Sequence, residues 1–147
     1  MNKKIKIIII GIVLLTIDQV TKSLIIDKSY TIIPNILNFT YTQNNGIAFG
    51  MGMNRNIVII ISIILLLAFL VLLVKNINKI SIGKTISLLL IIVGGISNII
   101  DRIFRNYVID FIDVNIFSFP KFNLADIYIV LGVIIFLITI IKQENNS

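Results

Sequence analysis

"KFNLADIYIVLGVIIFLITIIK", residues 121–142, decides the fold. Beyond Asp126 it carries no charge until Lys142. A helix needs about 20 apolar residues to cross a bilayer, so this run spans only if Asp126 lies at the interface. The same spacing describes how a helix would begin. Asn123 is a good N-cap and Asp126 falls at the third helical position, a capping box with Asp in place of Glu. A carboxylate there also suits the helix dipole. Asp126 is therefore either a helix-start residue or a working acid at the edge of hydrocarbon, and local sequence does not choose.

Three further runs, residues 5–26, 57–74 and 82–101, have similar length and apolarity, and with 124–141 they make four spans. Composition agrees. The chain is 57% hydrophobic and only 14% charged, where a soluble domain carries about a quarter charged residues; its mean hydropathy is +1.03. The fold expected is an α-helical integral membrane protein, one domain over 1–147, with β-rich segments at about 27–55 and 103–123. The opening "MNKKIKIIIIGIVLL" resembles a secretory signal peptide. No small-x-small cleavage site follows it and three more spans do, so it is expected to stay as the first span.

Lys3, Lys4, Lys6, Lys75, Lys79, Lys84 and Lys142 fall on one side of a four-span chain, and six basic residues fall on the other. The dense clusters at the N-terminus and between spans two and three predict that the first side, with both termini, is cytoplasmic. The acids are more lopsided. Asp18, Asp27, Asp101, Asp110, Asp113 and Asp126 all map to the outer half, and only Glu144 maps inside. Six aspartates gathered at one face look like a site. The net charge of +6 reflects lysines that flank apolar runs, not a nucleic-acid surface.

The outer segments contain "ILNFTYT" (36–42) and "YVIDFIDVNIFSF" (107–119), rich in β-branched and aromatic residues. Both read as short strands that pair into a small sheet. The loop "TQNNGIAFG" follows the first, with Asn-Gly as its turn signal. Asp110 and Asp113 are three apart in a strand and should point to opposite faces. Asp18 and Lys22, four apart, share a helix face in the better order for an ion pair. In "GGISNIIDRIFR" (94–105), Gly94, Asn98, Arg102 and Arg105 form one stripe. It is either a helix-packing seam with snorkelling arginines or the polar wall of a pocket. Asn98 is the telling residue, because an amide deep in a span has a partner.

The chain has no cysteine and no histidine. Thiol nucleophiles, imidazole bases and the common zinc sets are excluded. Two converging aspartates remain able to hydrolyse an amide. One takes a proton from water while the other, protonated, donates to the carbonyl oxygen, and the two share one proton.

Five stretches in order resemble the lipoprotein signal peptidases, also called type II signal peptidases: "DQVTK" (18–22), "NNGIAFG" (44–50), "GGISNIIDR" (94–102), "VIDF" (108–111) and "FNLAD" (122–126). Asn45 and Ile47 stand where that family more often has smaller residues, and the stretch between Asp110 and Asp126 is short. The resemblance implies a four-helix membrane aspartyl endopeptidase with a small extracytoplasmic β-rich cradle, needing no metal or organic cofactor. It implies Asp110 and Asp126 as the catalytic dyad, which decides between Asp110 and Asp113. It also implies Asn44, Asn98, Arg102 and Asn123 around substrate and dyad, and structural or positioning roles for Asp18, Lys22, Gly46 and Asp101. Its substrates would be diacylglyceryl-modified bacterial prolipoproteins, cut just before the lipidated cysteine. Its other partner is membrane lipid, and it would act as a monomer in the bacterial cytoplasmic membrane with the site facing outward. Within the pair, the helix terminus favours the ionised form at Asp126 and leaves the shared proton on Asp110.

Two other classes fit parts of the pattern. A small four-span proton-coupled exporter would place its acid near the bilayer midplane, whereas here the acids crowd one interface. A Ser/Thr-Lys peptidase would use Lys22 to activate Thr21 or Ser23, but neighbours on a helix do not face each other.

Overall fold

The structure, a computed structural model, describes residues 2–46, 54–116 and 119–144. Four helices run through it: α1 (Lys3–Ile25), α2 (Arg55–Asn76), α3 (Ile82–Phe104) and α4 (Leu124–Glu144). All four are long and apolar enough to cross a membrane. Three strands, β1 (Ser29–Ile33), β2 (Leu37–Asn44) and β3 (Val108–Val114), form an antiparallel sheet in the order β1-β2-β3. The strands join the C-terminal ends of α1 and α3 and the N-terminal ends of α2 and α4, so the sheet sits at one end of the bundle.

Helix α3 is the central helix. Its most apolar stretch is 61% buried within the protein, against 11% for each of the other three. The others turn residues such as Ile8, Ile64 and Leu137 outward, as a lipid-facing surface requires. Helices pack in lipid through small residues, and Gly94 and Gly132 supply them between α3 and α4. A methyl added at Gly132 would lie 2.8 Å from the Ser87 carbonyl oxygen, and one added at Gly94 would run into the Ala125 carbonyl. Gly95 faces the Leu66 side chain on α2 instead. Backbone cannot yield as a leucine can. Gly94→Ala should therefore lower the thermal unfolding midpoint in detergent clearly more than Gly95→Ala, with a cost of about 1–3 kcal/mol. Equal midpoints would show that α3 and α4 are not in this register.

The sequence expectation lacked β1. Its hairpin with β2 turns at Ile33–Ile36, where the Ile36 amide donates to the Ile33 carbonyl at 3.1 Å. Pro34 takes the second position and Asn35 the third, with φ of 61°, as a type II turn demands. β3 is shorter than the 107–119 expected, and residues 117–118 lie outside the described part.

The β2–β3 register places Thr42 opposite Asp110 and Asn44 opposite Val108. Directly paired residues point to the same face, so all four share one. The odd positions Ile109 and Phe111 pack with Ile25 at the end of α1. Ile112 joins that cluster, while Val108, Asp110 and Asp113 line a cavity.

Candidate active site

The cavity, of about 890 Å³, lies between the sheet and the ends of α3 and α4. Asn44, Asn98, Arg102, Asp110, Asp113 and Asp126 are among its lining residues. Behind it the polar side chains form two tiers.

The deeper tier is ionic. Lys22, Asp18 and Asp101 are each 0% exposed. The Lys22 ammonium lies 2.8 Å from Asp18 Oδ2, 3.0 Å from Asp101 Oδ2 and 3.0 Å from Asn98 Oδ1. An ammonium has three N–H donors, and here each has an acceptor. The remaining carboxylate oxygens are also engaged. Asp18 Oδ1 accepts from the Ala125 amide at 2.9 Å, and Ser97 Oγ donates to Asp18 Oδ2 at 2.5 Å. Asp101 Oδ1 accepts from Gln19 and Arg105, and its Oδ2 from the Ile109 amide at 3.2 Å. This cluster ties α1, α3, α4 and β3 together. Ser97 and Gln19 were missed in the sequence. The only signal was their polarity within apolar runs.

The upper tier is made of three asparagines and two aspartates. Asp110 Oδ1 accepts from Asn123 Nδ2 at 2.7 Å, and its Oδ2 from Asn44 Nδ2 at 2.8 Å. Asp126 Oδ1 accepts from Asn98 Nδ2 at 2.8 Å, and its Oδ2 from the Asn123 backbone amide at 3.2 Å. Asn123 Oδ1 in turn accepts from the Asp126 amide at 3.0 Å. The capping box is therefore present, and its cap residue also holds Asp110.

Each amide has one allowed orientation. Lys22 can only donate, so Asn98 must offer it the carbonyl and turn its NH₂ to Asp126. Backbone N–H donors at Asp126 and Gly46 fix Asn123 and Asn44 in the same way. The protein thus aims an N–H at both oxygens of both carboxylates. Burial pushes the Asp110 carboxyl up to about 6; the Asn44 hydrogen bond opposes that rise, and the charge of Asp126 adds to it.

Some expectations need correction. Asp110 and Asp113 both line the cavity. Residues 119–122 fold back along β3, with Phe122 bridged to Ile112, and bring Lys121 to 3.4 Å from Asp113. The stripe on α3 also divides. Gly94 packs on α4, Asn98 and Arg102 face the cavity, and Arg105 turns to Asp101, Gln19 and Ser23. Arg102 donates to the carbonyls of Asn98 (3.3 Å) and Gly46 (3.2 Å), which holds the Asn-Gly turn to α3. The rest of that loop, residues 47–53 with Ile47, lies outside the described part. Lys22 activates neither hydroxyl: Thr21 and Ser23 donate to backbone carbonyls one turn back. Among the described residues no group of three or more carboxylates converges to hold a metal ion.

Fold and site define a four-span membrane protein with a carboxylate–amide cavity at one end of its bundle. The comparisons are specific. The sequence pattern of signal peptidase II matches residues 10–142. A lipoprotein signal peptidase of Staphylococcus haemolyticus is 37% identical over 95% of this chain and 93% of its own length. One from Streptococcus agalactiae serotype Ia is also 37% identical, over 99% and 97%. Two solved structures, described as bacterial membrane enzymes determined by the in meso method at 2.3 and 1.9 Å, superpose with TM-scores of 0.86 and 0.80. Each is 34% identical to this chain; they cover 97% and 93% of it, and the matches span 91% and 93% of the solved chains. The chain belongs to the signal peptidase II family of membrane proteases.

Proposed function

We propose that Asp110 and Asp126 are an aspartyl dyad that cleaves diacylglyceryl-modified prolipoproteins just before the lipidated cysteine. The observation that carries this is Asn123, whose side chain holds Asp110 and whose backbone holds Asp126, at a cavity on the end of a helix bundle. The family's lipoprotein signal peptidases support the substrate.

In this mechanism Asp126 takes a proton from a water, and the hydroxide adds to the scissile carbonyl carbon. Asp110 gives its proton to the carbonyl oxygen. Collapse of the tetrahedral intermediate breaks the C–N bond: one hydroxyl of the gem-diol returns its proton to Asp110, and the proton on Asp126 passes to the leaving cysteine nitrogen. Arg102, beside the dyad, binds the substrate backbone or its lipid-linked end. With the lysine-rich end in the cytoplasm, the cavity opens at the extracytoplasmic interface, where the diacylglyceryl chains remain in lipid while the peptide bond enters.

A proton on Asp110 is required, and its carboxyl titrates near 6. It is held below that pH and lost above it. The kcat/KM profile should therefore have its alkaline limb near pH 6 in the free enzyme, read with a lipidated prolipoprotein in detergent. A flat profile from pH 5 to 8 would remove Asp110 as the acid. Incubation of the purified protein with lipidated and unlipidated prolipoprotein tests the substrate assignment directly, since only the lipidated form should be cut.

A further inference from the structure

At the opposite end of the bundle the charge balance differs. The site end holds six basic and six acidic residues, whereas the far end holds seven lysines and only Glu144. The whole net charge of +6 therefore sits at the far end. A second cavity lies there, of about 460 Å³, between the turn before α3 and the last turns of α4. Lys79, Lys84 and Lys142 line it together with the hydroxyl residues Ser81 and Thr139, and among the side chains described no carboxylate does. None of the ion pairs among the described residues involves Lys79 or Lys84. Lys84 is held in place by Gln143, donating to its Oε1 at 2.7 Å. Lys3 donates to the Ile77 carbonyl at 2.6 Å and brings a further ammonium to the same turn.

We propose that this cavity binds the phosphate of an anionic phospholipid headgroup. Several lysine side chains line a concave site with an excess of positive charge, which suits a phosphodiester. Its level in the bundle is that of lipid phosphates, because the helix ends mark the membrane surface. The neighbouring helix surfaces suit acyl chains. Ile82 and Ile86 on α3 and Ile138 and Ile141 on α4 are exposed beside the lining residues. A soluble phosphate would leave these unused. The site is a helix length from the dyad, about 30 Å, and does not depend on the reaction performed there.

The test is the thermal midpoint of the full chain in nanodiscs of phosphatidylcholine, with and without phosphatidylglycerol. A ligand that binds only the folded state raises the midpoint, so phosphatidylglycerol should raise that of the wild type by several degrees. Lys79→Gln/Lys84→Gln should lose most of the rise. Lys4→Gln/Lys6→Gln removes equal charge outside the cavity and should keep it. Equal loss in both double variants would mean diffuse surface attraction and overturn the site. Inorganic phosphate added to phosphatidylcholine discs should give no shift; a full shift that Lys79→Gln/Lys84→Gln abolishes would overturn the lipid assignment.

Discussion

Asp126→Asn and Asp110→Asn should each lower kcat on a lipidated prolipoprotein by about 10³-fold or more, the scale on which removal of a positioned acid or base acts. Asparagine keeps the shape and removes the proton chemistry. It also reverses one hydrogen bond. Both oxygens at position 126 accept, from Asn98 Nδ2 and the Asn123 amide, so one edge of the new amide would meet a donor. Asn98 cannot turn to relieve this, because its carbonyl is held by Lys22. Position 110 has the same constraint between Asn44 and Asn123. The double variant should be little worse than either single one, since two groups in one step do not add. Asp113→Asn is the control. It lies on the same strand and lines the same cavity but pairs with Lys121 at 3.4 Å, so it should keep activity within a few-fold. Comparable loss at Asp113, or near-normal cleavage by Asp110→Asn, would sink the dyad.

The spans were legible because a bilayer demands long uninterrupted apolar runs, and few other structures produce them. β2 and β3 were legible from their alternating, β-branched composition. β1 was not: all five of its residues are exposed, so burial leaves no period in "SYTII", and only the Pro34–Asn35 turn announces it. At the site, contacts within one helix were readable. Asp18–Lys22 follows from i,i+4 spacing and Asn123–Asp126 from capping. Contacts between segments were not. Nothing local places Asp101 on Lys22, or makes Asn123 bridge to Asp110. Arg105 shows the limit of periodicity. It shares a stripe with Arg102, but Asp101, one turn earlier, draws its guanidinium away from the cavity. The choice of Asp110 over Asp113 rested on family resemblance. In the structure Asp110 accepts from Asn44 and Asn123, whereas Asp113, which lines the same cavity, pairs with Lys121.

Lys22→Met should be the most destabilising single change at this end of the bundle. Methionine fills most of the volume but leaves Asp18 and Asp101 buried without their shared ammonium, although Arg105 still pairs with Asp101. Breaking a buried ion pair from one side costs about 3–5 kcal/mol. The unfolding midpoint in mixed micelles should fall accordingly, and Asp18→Asn in the Lys22→Met background should recover part of it. The two changes would then be non-additive, as contacts in one network are. Lys22→Arg should not rescue. Three acceptors surround one nitrogen at 2.8–3.0 Å, and a planar guanidinium cannot reproduce that arrangement. The same variant tests how the tiers connect. Lys22 and Arg105 balance Asp18 and Asp101, and Arg102 lies beside Asp110 and Asp126. Lys22 also fixes the Asn98 amide that donates to Asp126. Where Lys22→Met still folds, at low temperature, kcat should fall more than KM rises, because the Asn98 carbonyl then keeps only the long 3.3 Å bond from Asn123 Nδ2 to hold the amide's orientation toward the dyad. A wild-type midpoint with unchanged kcat would mean that the ionic tier neither holds the helices together nor orients the pair above it.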